Sequence, residues 1–202
     1  MPLPERAPRS LERTLCAGDD GGYPTCNVLY RRSLFEQVGG FRPRSRARGM
    51  TGSMGMWEDT LMAWRLRRDG GRAAFEPDAV VYHHVFPPDL GDVLRRNWMG
   101  GGIPTLIREV PELRRTMLRG GVFYGQRSRV LVYVIVASLL LRRPRVAAAA
   151  LMCWAGLRLQ GGRTSGTSLT DVARSLPGEF AKDVVFTASL LRWSVQSRTL
   201  VV

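Results

Sequence analysis

Glu58 and Asp59 stand side by side in the stretch Trp57-Glu58-Asp59-Thr60-Leu61-Met62-Ala63-Trp64-Arg65-Leu66-Arg67-Arg68-Asp69-Gly70-Gly71. A carboxylate within hydrogen-bond reach of a hydroxyl is a common general base for activating an oxygen nucleophile. The same pair also suits a helix start, where negative charge meets unpaired amides and the positive end of the helix dipole. Gly70-Gly71 marks the other end, because glycine takes the left-handed conformation that closes a helix. Histidine is scarce: the only two are the neighbours His83 and His84. In a strand adjacent side chains point to opposite faces, so at most one of them faces a site.

Segments on both sides must position these groups. Upstream, residues 23–30 read as an extended segment or strand and residues 33–38 as a short helix capped by Ser33, with Gly39-Gly40 turning the chain. Between Phe41 and Glu58 lies a loop of 16 residues carrying Arg42, Arg44, Arg46 and Arg48. It reads as a solvated segment or as a lid meeting a phosphate. Downstream, residues 72–75 and 79–83 read as two strands joined at Glu76-Pro77-Asp78. Helices are expected over 89–98 and 111–119, with Gly100-Gly101-Gly102 breaking the first and Pro111 opening the second.

Two apolar runs of 12 residues follow, 130–141 and 146–157, separated by Arg142-Arg143-Pro144-Arg145. A spanning helix needs about 20 apolar residues, so these runs suit a membrane interface or a packed core better than a bilayer crossing. Residues 161–168 read as a flexible Gly/Ser/Thr linker. The last helix is expected from about 177 to 193, with Lys182, Arg192 and Trp193 as surface anchors.

The chain has 202 residues with 30 basic against 17 acidic, a formal charge of +13. Lys182 is the single lysine, so the other 29 basic residues are arginine. This balance suits a polyanionic partner: nucleic acid, anionic lipid or a phosphorylated substrate. Nucleic acid is disfavoured, because no zinc spacing, helix-turn-helix or aromatic-interleaved basic surface is legible. Cys16, Cys26 and Cys153 are odd in number and lack metal-ligand spacing, which points to a reducing compartment. Residues 1–10 have no apolar segment of the secretory type.

Three blocks in order resemble the C-terminal half of the catalytic domain of family 2 glycosyltransferases, which have the GT-A fold. They are Asn27-Val28-Leu29-Tyr30-Arg31 leading into Gly39-Gly40-Phe41, the Glu58-Asp59 helix containing Arg65-Leu66, and Pro77-Asp78-Ala79-Val80-Val81-Tyr82-His83. The resemblance covers residues 22–84 well and extends loosely to about 120. It implies transfer of a sugar from a nucleotide-sugar donor with Asp59 as the base and Glu58 supporting it. Arg65 matches a frequent family arginine, able to orient the acids or simply to sit on the helix surface. His83 matches a strand-end histidine that binds metal or donor phosphate in some members. Asn27 contacts the acceptor or closes a turn, and Trp57 stacks on a sugar ring or fills a core. Two departures stand out: Arg42 replaces the usual acid after Gly-Gly-Phe, and Leu61 stands where a third acid is common.

Asp19 and Asp20 are adjacent rather than alternating, so they do not form the Asp-x-Asp motif that holds a divalent metal on the donor. The family's N-terminal, nucleotide-binding half has no counterpart in residues 1–21. The expectation is therefore a truncated product, a false start or half of a split enzyme. Manganese or magnesium, and activity itself, would require a complementing N-terminal half.

The expected fold is α/β, a partial GT-A fold of a few strands and short helices, followed by a mostly α-helical C-terminal region. Its divisions are an irregular segment 1–21, a catalytic part 22–120, an apolar helical pair 121–160, and a linker with an amphipathic helix 161–202. The acceptor is expected to be a glycan or lipid-linked molecule at the cytoplasmic face of the cell membrane. The competing expectation is a non-catalytic arginine-rich module for anionic membrane or nucleic acid.

Overall fold

The longest element begins earlier than the sequence reading places it. Ser168 accepts a hydrogen bond from the Asp171 amide at 3.3 Å and caps a 29-residue helix, Leu169–Ser197. Pro177 lies inside this helix rather than opening it. A proline there deletes one backbone donor and resembles a helix start, which is why the first two turns escape sequence reading.

A computed structural model describes residues 2–4, 12, 21–41, 57–87, 89–100, 102–126, 128–164 and 167–202. The aspartates 19 and 20 and the arginine loop 42–56 lie outside the described residues. In chain order the described helices are α1 (Arg32–Gln37), α2 (Glu58–Arg68), α3 (Leu90–Gly100), α4 (Ile103–Glu109), α5 (Leu113–Met117), α6 (Ser128–Leu140), α7 (Pro144–Thr164) and α8 (Leu169–Ser197). The chain is thus mostly helical. Its described strands have two or three residues each and form two two-stranded sheets. β1 (Pro2–Pro4) pairs in parallel with β2 (Val81–His83), aligning Pro4 with His83. β3 (Leu118–Arg119) and β4 (Phe123–Tyr124) form a small antiparallel hairpin.

Several local expectations need correction. Of the two readings of residues 23–30, the extended segment holds on either side of a single 3-10 turn, Thr25–Asn27, and the strand does not form. Residues 72–75 form no strand either, and β2 takes β1 as its neighbour. Arg31, not Ser33, is the N-cap of α1, and it makes no side-chain cap. The supposed linker at Gly161 and Gly162 is the last turn of α7. α4 was not anticipated; its Gly102 N-cap and Pro104 sit in what reads as a glycine break.

α8 packs against α3, α4, α6 and α7. The main core joins Ile103, Leu106 and Ile107 of α4, Leu113 of α5, and Phe186 and Leu190 of α8. Val201 closes it, and the extended C-terminal residues bond to the hairpin through Val202 N–H to Val122 O (2.8 Å) and Tyr124 N–H to Val202 O (2.7 Å). Leu61 and Trp64 of α2 pack against the same core. Both are partly buried, so each contributes less than the roughly 1.5–3 kcal/mol of a fully buried side chain, and this contact anchors α2 to the body.

Lys182 and Arg192, expected at the surface of the last helix, are partly buried and exposed in turn. Lys182 pairs with Glu179 at 2.5 Å, and the Arg192 guanidinium lies over the Trp98 ring at 5.2 Å.

Candidate functional site around Asp59

Trp57 adopts the left-handed conformation, φ 75°, and turns the chain into α2 with Glu58 and Asp59 in its first turn. The end of α2 follows from its glycines. Gly70, at φ +89°, donates to Arg67 O (3.3 Å), and Gly71 donates to Leu66 O (2.9 Å). This paired closure satisfies carbonyls that the helix leaves open and needs a positive φ that glycine adopts without strain. Gly39 and Gly40 close α1 in the same manner, donating to Glu36 O and Phe35 O.

The two Gly-Gly ends lie together. Arg65 Nη2 donates to Gly40 O at 2.8 Å, and Gln37 Nε2 donates to Asp69 at 2.6 Å. Toward the start of α2, Thr60 Oγ1 donates to Gly22 O, and Trp64 Nε1 donates to Gly21 O at 3.0 Å. Arg67 reaches the Tyr23 hydroxyl at 2.8 Å and lies over the Trp64 ring.

Asp59 sits where these segments meet. Its Oδ2 accepts from the Thr25 amide at 3.1 Å and its Oδ1 from the Thr60 amide at 2.8 Å. Two amides from different segments therefore fix the carboxylate plane. Asn27 lies one 3-10 turn from Thr25, and its Nδ2 donates to Ala79 O at 2.7 Å, tying the Asp59 loop to the segment that leads into β2. The three blocks singled out in the sequence are thus joined by direct hydrogen bonds.

Other expected site residues fall as follows. The Glu58 carboxylate is half-buried and makes no hydrogen bond or ion pair among the described residues. The Trp57 ring packs against the core, and its buried Nε1 has no partner among the described residues. Arg65 serves to join α2 to the α1 end. His83 ends β2, with Nδ1 2.9 Å from His84 O. A carbonyl only accepts, so Nδ1 carries the proton in that bond and the neutral ring presents its lone pair at Nε2.

That lone pair is the right chemistry for a metal, but one ligand is too few. Among the described residues no group of three or more His, Cys, Asp or Glu is placed to hold a metal ion. The described residues alone do not fit manganese or magnesium.

Tyr30 is the residue that sequence reading missed. Its ring packs with Phe35 and Phe41, centroids 6.1 and 6.5 Å away, and its buried hydroxyl has no partner among the described residues. Burial, then the negative charge of Asp59, then Tyr23 push its pKa up to about 12. The phenol is therefore a protonated donor within electrostatic reach of Asp59. Its position three residues after Asn27, before an aromatic-rich turn, is the only hint in the sequence.

No protein-family model, no curated protein and no solved structure matches this chain.

Proposed function

We propose that the chain is part of a sugar-transferring enzyme like those of family 2 glycosyltransferases, with residues 21–41 and 57–87 contributing to the acceptor side of a GT-A-like site. The observation that supports this most is that hydrogen bonds join the three separated blocks of the resemblance to one another in the neighbourhood of Asp59. The Thr25 amide holds its carboxylate, Asn27 ties in Ala79, and Thr60 ties in Gly22.

In this reading Asp59 takes the proton of the acceptor hydroxyl. The freed oxygen attacks the anomeric carbon of the nucleotide sugar. The bond from that carbon to the diphosphate oxygen breaks, and the nucleoside diphosphate leaves with the electron pair, inverting the centre. Glu58 adds negative charge beside the base, Asn27 and Arg65 hold the surrounding segments, and Trp57 is the ring nearest the acids in sequence. The donor half-site, with His83 and any manganese or magnesium, is completed by residues beyond those described or by a complementing N-terminal half. The acceptor is a glycan or lipid-linked molecule at the cytoplasmic face of the cell membrane.

The test is to replace Asp59 by Asn in the source cells and follow incorporation of labelled sugar into envelope and lipid-linked glycans. Loss of a general base lowers the rate by roughly 10²–10⁴-fold, so incorporation by this route collapses while the chain persists at normal level. Unchanged incorporation sinks the transferase reading and favours the arginine-rich binding module.

A further inference from the structure

We infer that the α6–α7 hairpin docks tip-first, without crossing, into the surface of a bilayer rich in anionic phospholipid. This inference is independent of the role of Asp59.

Each helix of the hairpin has one buried stripe: Val132, Ile135 and Ser138 on α6, and Ala147, Ala150 and Trp154 on α7. From Val130 to Leu141 the only polar side-chain groups are the Tyr133 hydroxyl and Ser138. α6 is therefore apolar around most of its circumference but packed along one side, a pattern expected of a helix with apolar surroundings on its other side. Exposure climbs toward the tip, where Leu139, Leu140 and Leu141 are 57%, 78% and 73% exposed.

The charge pattern selects the occupant. Residues 128–164 contain no aspartate or glutamate. Arg129 and Arg158 turn inward to Asp183. Arg142, Arg143 and Arg145 at the tip are exposed and make no ion pair among the described residues. Three leucines beside three unpaired arginines match an interface where acyl chains lie below phosphates. A second copy of this chain would bring cation against cation there. Crossing is excluded by length: 13 residues of α6 span about 20 Å against a hydrocarbon core of about 30 Å. Among the described residues no helix is long and apolar enough to cross a membrane.

The experiment is flotation of the full chain with vesicles of phosphatidylcholine alone or mixed equally with phosphatidylglycerol. The mixed vesicles should bind it and the neutral ones should bind it far less. Arg142→Gln and Arg143→Gln should each weaken binding roughly fivefold. Leu140→Gln should weaken it on the order of tenfold, with helical circular dichroism unchanged because the side chain is not in the core. Arg163→Gln, at the far end of α7, should leave binding unaltered. Equal binding to both vesicles overturns the proposal, as does an equal loss from Arg163→Gln. A chain that ignores both vesicles also overturns it, and if Leu140→Gln then converts a dimer to a monomer, the face belongs to a second copy.

Discussion

The described residues from 21 to 87 and the α3–α8 body are built by different physics. The first region is stitched: Thr25 to Asp59, Asn27 to Ala79, Arg65 to Gly40, Gln37 to Asp69 and Thr60 to Gly22 each join segments far apart in sequence. Most of these groups keep some contact with solvent, Thr60 and Gly40 being the buried exceptions, and the region's buried apolar residues are few, chiefly Met62, Ala63, Leu66 and Val85. The second region is packed, with a continuous apolar cluster from α4 to α8. A hydrogen bond nets about 0.5–1.5 kcal/mol because water competes for its partners, whereas a buried aliphatic side chain contributes about 1.5–3 kcal/mol. The candidate site therefore lies in the part that opens at lower free energy, where a loop can rearrange around a ligand without unfolding the body.

The largest test of this contrast lies in the packed region. Asp183 has a fully buried side chain, and its carboxylate accepts from Arg129 Nε (3.2 Å), Trp154 Nε1 (3.0 Å) and Arg158 Nη2. Glu179 lies 3.5 Å from Arg158 on its other side. Asp183→Ala leaves two guanidiniums facing a buried gap and should cost about 3–5 kcal/mol in urea unfolding, more than any single change in residues 21–87. A loss below about 1 kcal/mol would break the comparison.

The same carboxylate sets an acid limit. Burial pushes its pKa up, but Arg158, the Trp154 N–H and Arg129 outweigh burial and hold it below the usual range. A folded pKa below the unfolded value gives stability that is present above the unfolded pKa, about 3.9, and lost as pH falls through the folded one. The α6–α8 helices should therefore persist through mild acid and weaken only below about pH 4. Asp183→Asn should flatten that fall, as read by circular dichroism across an acid titration.

A smaller effect is expected from the stitches. Thr60→Val keeps the shape of a side chain whose residue is 1% exposed and removes its bond to Gly22 O. It should cost about 1 kcal/mol, and hydrogen exchange should rise in residues 21–41 but not in α8. Equal rises in both would mean that the two regions open as one.

What was legible in the sequence follows the same division. The Glu58-Asp59 helix start and the Gly-Gly endings of α1 and α2 were readable because caps are local chemistry. So was the apolar hairpin, because composition alone marks it. The stitches were not readable, since Thr25 to Asp59 and Asn27 to Ala79 span 34 and 52 residues with no periodic pattern. Tyr30 stayed hidden because its one cue, the aromatic-rich turn that follows, does not tell whether the hydroxyl is buried. Asp183 was missed because one acid among apolar residues looks like a solvent-facing position. Only the helix packing reveals that Arg129 and Arg158, 54 and 25 residues earlier, close on it.

The smallest expected effect sits on the boundary itself. Arg68, the last residue of α2, donates to Glu112 in bidentate fashion, Nε to Oε1 at 3.1 Å and Nη2 to Oε2 at 2.8 Å, and also to Glu109 O at 3.1 Å. Arg68 holds the Glu112 carboxyl below its usual range, yet both side chains are nearly half exposed, at 46% and 44%. Solvent screens such a pair, and exposed pairs typically couple by about 0.2–1 kcal/mol. A double-mutant cycle with Arg68→Met and Glu112→Gln should return a coupling in that range. The bidentate geometry places it toward the upper end, because the guanidinium needs only one orientation to make both bonds. A coupling above about 2 kcal/mol would mean that the ion pair, rather than Leu61 and Trp64 against the core, locks α2 onto the body. The stitched region would then share the stability of the packed one.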